Sequence, residues 1–196
     1  MARMISAEAQ RPSRDALVEA AARLFREKGY ERTTVRDLAD AVGMQSGSLF
    51  YHFASKGEIL YEVMRRGIDD LTMAVRLELK ACSSPREELI TMTRTHLRTL
   101  LSNTQASLAS LLYEWRSLPD EQRDQVVTLR DQYESLCREV ISQAMENGVV
   151  KQGDPRLMVR LWLGALNWTS QWYNAEGSLG IDDLAEEIVD LILVHD

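Results

Sequence analysis

Gln45, Ser46, Gly47 and Ser48 form an unbroken run of small or polar residues, and Phe50, Tyr51, His52 and Phe53 follow almost at once. Short polar side chains let the backbone approach a partner closely and offer hydroxyl and amide groups for hydrogen bonding. Tyr51 and His52 add larger polar groups, Lys56 adds a cation, and Thr34 and Arg36 precede the run. Such a set suits a polyanion: Tyr51, His52 and Lys56 can reach phosphate oxygens, while Gln45, Ser46 and Ser48 keep the backbone close to base edges. A packed core would not take four such residues in a row. A flexible linker would not end in aromatics.

Other chemistry is poorly supplied. Cys137 and His96 are a conceivable nucleophile and base. Cys137, however, sits amid Leu136, Val140 and Ile141 on a helical pattern, where a buried, inert thiol is the ordinary outcome. His52, His96 and His195 lack metal-ligand spacing, and there is no Gly-rich phosphate loop. The expectation is a protein that is not an enzyme and needs no cofactor. A second set lies further along. Leu112, Trp115 and Trp168, with Leu108 and Leu111, can line an apolar tunnel, and Arg94, Arg98, Arg116 and Arg160 can supply charge. A molecule with an apolar chain and phosphates asks for that combination. The ordinary reading of each arginine taken singly is a solvated helix face or an ion pair with one of the plentiful acids, and that of Trp162 and Trp172 is core or dimer packing.

The elements that must position these residues read as helix throughout. Apolar residues recur at spacings of three and four, and Gly and Pro fall at punctuation points. Ser13 caps a first helix with an apolar face of Leu17, Ala20, Ala21, Leu24 and Phe25, closed by Gly29. Thr33 or Thr34 caps a second, whose inward face is Val35, Leu38, Ala39 and Val42; Gly43 stops it. A short third helix spans about 45–51. Ser55 caps a fourth over 55–80, nearly 40 Å at about 1.5 Å per residue. Helices follow over 86–101, 105–115, from "SLPDEQ" through Met145, over 155–175 with Pro155 in the first turn, and a last one carrying Leu184, Ile188, Leu191 and Ile192. The fold class is all-α, about nine helices. Residues 1–57 form a three-helix head and 58–196 a larger body.

Charge divides along the same line. The chain carries net −7, yet residues 1–57 hold nine Lys and Arg against seven Asp and Glu, leaving −9 on the remainder. A mildly basic head on an acidic body is what results when only the head meets phosphates. No apolar run reaches the roughly 18 residues of a membrane span, the opening residues lack the apolar core of a secretory signal, and two distant cysteines suggest no disulfide framework. A cytoplasmic protein with no membrane partner is expected.

Two helices joined by a glycine-containing turn match the helix-turn-helix pattern, whose second helix enters the DNA major groove. "TTVRDLADAVGMQSGSLFYHFASKGEIL" resembles the DNA-binding segment of the TetR family of one-component transcriptional regulators. The likeness covers about 13–60 and includes the paired threonines, Gly43, "SLFYHF" and the lysine of "SKGEIL". It implies a homodimer whose two heads read a palindromic operator on double-stranded DNA, and a body that binds a small ligand and dimerises through its last two helices. Carried onto matching positions, the DNA contacts are Thr34, Arg36, Gln45, Ser46, Gly47, Ser48, Tyr51, His52 and Lys56, with Gly47 acting through its backbone. "LGALNWTSQWY" and the segments before it resemble a subgroup that responds to acyl-CoA thioesters, regulators of fatty-acid or sterol-ring breakdown. The resemblance therefore implies a repressor released by a small hydrophobic effector such as an acyl-CoA. A repressor of drug efflux responding to hydrophobic compounds is the alternative, as is a helical ligand-binding module without DNA function.

Overall fold

The computed structural model describes residues 13–101 and 114–194. Among them the chain is all-α, as expected, with eight α-helices: α1 Arg14–Lys28, α2 Val35–Ala41, α3 Ser46–Leu49, α4 Lys56–Leu79, α5 Pro85–Leu101, α6 Asp120–Glu146, α7 Pro155–Trp168 and α8 Ile181–Asp190. Short 3-10 turns cover Trp115–Ser117 and Thr169–Gln171. The expected helix over 105–115 lies outside the described residues except for its last two positions. An antiparallel bridge between Val150 and Leu193 adds the single piece of β pairing among the described residues.

Side-chain caps set several helix starts. The Ser13 hydroxyl accepts from Ala16 N–H at 3.1 Å. Thr34 and Asp37 form a complete capping box at the start of α2, and the Ser55 hydroxyl accepts from Glu58 N–H at 3.1 Å to start α4. Gly29 and Gly43 end the first two helices with φ of 81° and 69°, a left-handed backbone that side-chain-bearing residues rarely adopt.

Two expected helices are shorter than their apolar pattern. The helix read over 155–175 ends at Trp168, because the Thr169 hydroxyl donates to Leu166 O (2.6 Å) and the Ser170 hydroxyl to Asn167 O (2.7 Å), tightening the last turn. The last helix ends at Asp190, because the chain then pairs with the segment after α6: Lys151 N–H donates to Ile192 O and Val194 N–H to Val149 O. Leu191 is consequently turned outward, 71% exposed, rather than buried with Leu184 and Ile188.

One apolar core runs from Leu17 and Phe25 through Leu60, Val63 and Leu71 to Trp162 and Leu193. The helix α4, about 36 Å long, packs against α1 at one side and against α5 and α6 along the rest. Glu62 on α4 is buried, and its carboxylate is held by Arg65 (2.9 Å) and Arg14 of α1 (3.2 Å). Burial opposes that charge, but the two guanidinium groups outweigh it and pull the carboxyl below its ordinary range. Arg14 also stacks on the Phe53 ring at 4.4 Å, so one guanidinium clasps α1, α4 and the end of the helix-turn-helix together.

Candidate DNA interface and effector cleft

In the head, most of the residues singled out from the sequence are exposed to solvent. Thr34, Arg36, Gln45, Gly47, Ser48 and Tyr51 are exposed, Tyr51 at 83%, while Ser46 and His52 are half-buried. Leu49 and Phe53 are buried beneath them and anchor α3, as their apolar character requires. Phe50 does not anchor: it is 53% exposed. Helical hydrogen bonds continue past Leu49, with His52 and Phe53 N–H both donating to Leu49 O, so Tyr51 and His52 project from a tight turn. Their rings meet edge-to-face at 5.5 Å.

The paired threonines do separate work. Thr33 is fully buried, and its hydroxyl donates to Gly29 O at 2.9 Å. The Thr34 hydroxyl donates to Asp37 at 2.6 Å and accepts from Asp37 N–H, so its proton is already committed to the cap. That hydroxyl, then Thr34 N–H and Lys28, pull the Asp37 carboxyl far below the usual range. Lys56 is pinned as well: its ammonium donates to Tyr30 O (3.0 Å) and Thr33 O (3.1 Å) and lies 4.1 Å over the Tyr30 ring. An ammonium carries three N–H groups, so these two carbonyls leave one over.

In the body, a cleft of about 140 Å³ opens among four helices and the first 3-10 turn. Ile68 and Leu71 line it from α4, His96 from α5, Arg130, Asp131, Tyr133 and Glu134 from α6, Leu163 and Asn167 from α7, and Trp115 from the turn. Arg130 and Arg116 flank the Trp115 ring at 5.5 and 5.2 Å. Of the expected ligand residues the structure thus places Trp115 in the cleft and Arg116 beside it. Arg160, its side chain 72% exposed, stands 4.0 Å from the lining Glu134. Arg94 and Arg98 point elsewhere: both converge on Asp182 of α8, at 3.0 and 2.9 Å. Trp168 is 66% exposed and lines no part of this cleft. Leu112, like Leu108 and Leu111, lies outside the described residues. Trp162 is core, donating from its indole N–H to Thr93 at 3.2 Å.

Sequence reasoning missed His96, Tyr133, Asn167 and Arg130. A signal existed for one of them: Tyr133 brings a hydroxyl into the otherwise apolar buried stripe Val126–Leu136–Val140 on α6, whereas His96 shares the buried face of α5 with Thr93, Thr95 and Thr99. His96 Nδ1 lies 2.9 Å from the Tyr133 hydroxyl and its Nε2 3.3 Å from Asn167 Oδ1. Burial lowers the His96 pKa to about 4 against the opposing pull of Asn167, so the ring is neutral near pH 7. Cys137, beside Tyr133, is buried, and burial pushes its thiol up to about 12. It is no nucleophile.

Cleft and head are one contact apart. Glu114, next to Trp115, accepts from Tyr30 N–H at 3.1 Å, and Tyr30 O is one of the two carbonyls that hold Lys56.

A helix-turn-helix head on a helical body with an internal cleft defines a ligand-binding regulator. The profile described as "Bacterial regulatory proteins, tetR family" matches residues 17–63, and "Tetracyclin repressor-like, C-terminal domain" matches 82–195, over half the chain. The chain belongs to the tetR family of transcriptional regulators, and it is not an enzyme. It is 30% identical to the HTH-type transcriptional repressor KstR2 of Rhodococcus jostii, over 92% of this chain and 89% of that protein. Its fold matches the crystal structure of the superantigen PfiT with a TM-score of 0.81 and 44% identity, over 93% of this chain and 97% of that one. It matches AibR, crystallised with isovaleryl coenzyme A and operator DNA, with a TM-score of 0.84 and 26% identity, over 91% and 97% of the two chains. No helix among the described residues is long and apolar enough to cross a membrane.

Proposed function

We propose that this protein is a homodimeric repressor that holds a palindromic operator through residues 1–57 and lets it go when residues 58–196 bind a small apolar effector, an acyl-CoA thioester by preference. One observation carries the reading: Ile68 and Leu71, which line the cleft, belong to the helix that begins at Lys56 beneath the recognition surface. A ligand that displaces Ile68 and Leu71 bears directly on the helix that carries the head. The contact between Glu114 and Tyr30 supplies a second, shorter route from Trp115.

The cleft's size favours the acyl end of such a ligand. About 140 Å³ matches a single ring or a short branched chain, since a cavity near 150 Å³ holds benzene. The nucleotide and its phosphates would then lie outside, where Arg130, Arg116 and Arg160 supply cations. The AibR complex and the KstR2 likeness support a thioester of this kind. At the DNA, Tyr51, His52 and the remaining N–H of Lys56 take phosphates, Gln45, Ser46, Ser48 and Arg36 read bases, Gly47 gives close backbone approach, and Thr34 acts chiefly as the cap that holds Arg36 in place. Binding-site selection on random DNA tests the head: a palindrome is expected, and recovery of no preferred sequence would overturn the operator reading. A neutral hydrophobe that dissociates the selected complex where no acyl-CoA does would move the effector to the drug-like class.

A further inference from the structure

The cleft holds a directional chain of hydrogen bonds that ends on an unused donor. The His96 imidazole is neutral near pH 7 and so carries one N–H. Its Nε2 faces Asn167 Oδ1, an obligate acceptor, so the proton sits on Nε2 and Nδ1 is left to accept the Tyr133 hydroxyl proton. Order therefore runs from Tyr133 through His96 to the Asn167 carbonyl oxygen. The amide is locked at that oxygen, and its Nδ2 donates to nothing among the described residues while Asn167 lines the cleft.

We infer that Asn167 Nδ2 is the cleft's polar recognition group, donating to a carbonyl oxygen on the effector, with His96 and Tyr133 as the positioning residues that fix its donor side outward. A wholly saturated hydrophobe leaves that N–H pair unpaired on displacing water from the cleft, whereas a thioester or ring ketone satisfies it. Discrimination by a hydrogen bond exceeds what apolar contact offers per atom, because the wrong ligand strands a donor. This inference rests on the cleft being the effector site and specifies which chemistry it selects.

The test compares isovaleryl-CoA with its thioether analogue, in which a methylene replaces the carbonyl, by calorimetric titration of the full chain. The thioester should bind about tenfold tighter to the wild type, one neutral hydrogen bond's worth. Asn167→Leu should bring the two probes to parity, and Asn167→Ala serves if the leucine variant does not fold. Equal binding of both probes to the wild type overturns the inference and leaves the acyl-CoA reading standing. If neither probe binds, isovaleryl-CoA is not the effector, and 4-methylcyclohexanone against methylcyclohexane takes their place in an NMR titration. A ketone preference that disappears in Asn167→Leu then upholds the inference; no preference overturns it.

Discussion

Lys56 illustrates how one residue can serve two purposes that a sequence cannot separate. Its ammonium holds the carbonyls of Tyr30 and Thr33 and covers the Tyr30 ring, and it faces the proposed phosphate path with what remains. Lys56→Ala should therefore lower operator affinity and also destabilise the fold by about 1–3 kcal/mol, through two carbonyls losing their donor. Tyr51→Ala, at an 83% exposed position, should lower affinity for all sequences without moving the melting temperature. Fluorescence anisotropy against operator DNA, paired with thermal melts, separates the two. Gln45→Ala should instead change which sequences are preferred.

His96 gives a pH signature. Its pKa drops on folding from an ordinary 6.5 to about 4, so the unfolded chain binds the proton more readily. The stability it contributes is complete above pH 6.5 and is lost as pH falls through the window between 6.5 and 4, by roughly 3 kcal/mol in all. Carboxylates add their own losses at low pH, so the comparison is with His96→Phe. The wild type should lose more stability than the variant between pH 7 and 4.5 in denaturant titrations. Equal losses would mean that His96 accepts a proton in the folded state.

At the scale of helices, α7 and the end of α8 leave apolar residues in water. Leu157, Leu161 and Trp168 are 56, 63 and 66% exposed at spacings of four and seven, which places them on one face of α7. Gly164 and Ala165 between them are exposed and small, allowing close approach of another helix. Leu191 and Val194, just beyond α8, are exposed too. A second copy of the chain is the expected cover, giving a four-helix interface about a two-fold axis. Leu161→Glu should yield a monomer by sedimentation at micromolar concentration and lose operator affinity with it. An unchanged dimer would place the interface elsewhere.

The helices themselves were legible because their signals are local. Ser13, Thr34 and Ser55 cap where their position before apolar periodicity says they should, and Gly29 and Gly43 stop helices by backbone conformation alone. The helix-turn-helix was legible for the same reason: it is contained in about twenty consecutive residues. The cleft was not. His96, Tyr133 and Asn167 are 37 and 71 positions apart and meet only because α5, α6 and α7 present particular faces to one another. Periodicity names the buried face of each helix but not its partner, so arginines on α5 that look poised for phosphates are taken by Asp182 instead. Thr169 and Ser170 shortened α7 through hydroxyl contacts that the apolar pattern across them masked. Glu114 belongs to this long-range class too. Its carboxylate reaches across 84 positions to Tyr30. Glu114→Ala should leave effector affinity nearly intact while shrinking the effector's influence on operator binding.

The whole molecule must set two recognition helices about one DNA turn apart, roughly 34–36 Å. Rotation of α4 within each protomer changes that separation at both half-sites together, so a small tilt is felt twice. Gly67, buried midway along α4, lowers the helix's resistance to bending by about 1 kcal/mol of propensity. A coupling of only ~1–3 kcal/mol shifts operator affinity roughly 5- to 150-fold, and operator DNA must weaken effector binding by the same factor. The most direct measurement is a titration of short-chain, long-chain and ring-derived acyl-CoAs into the complex with a selected operator, with cleft occupancy followed in parallel through Trp115 fluorescence in a variant lacking the other tryptophans. The ligand that fills the cleft should raise the operator dissociation constant within that range. A ligand that fills the cleft and leaves operator affinity unchanged, or tightens it, would contradict release by effector.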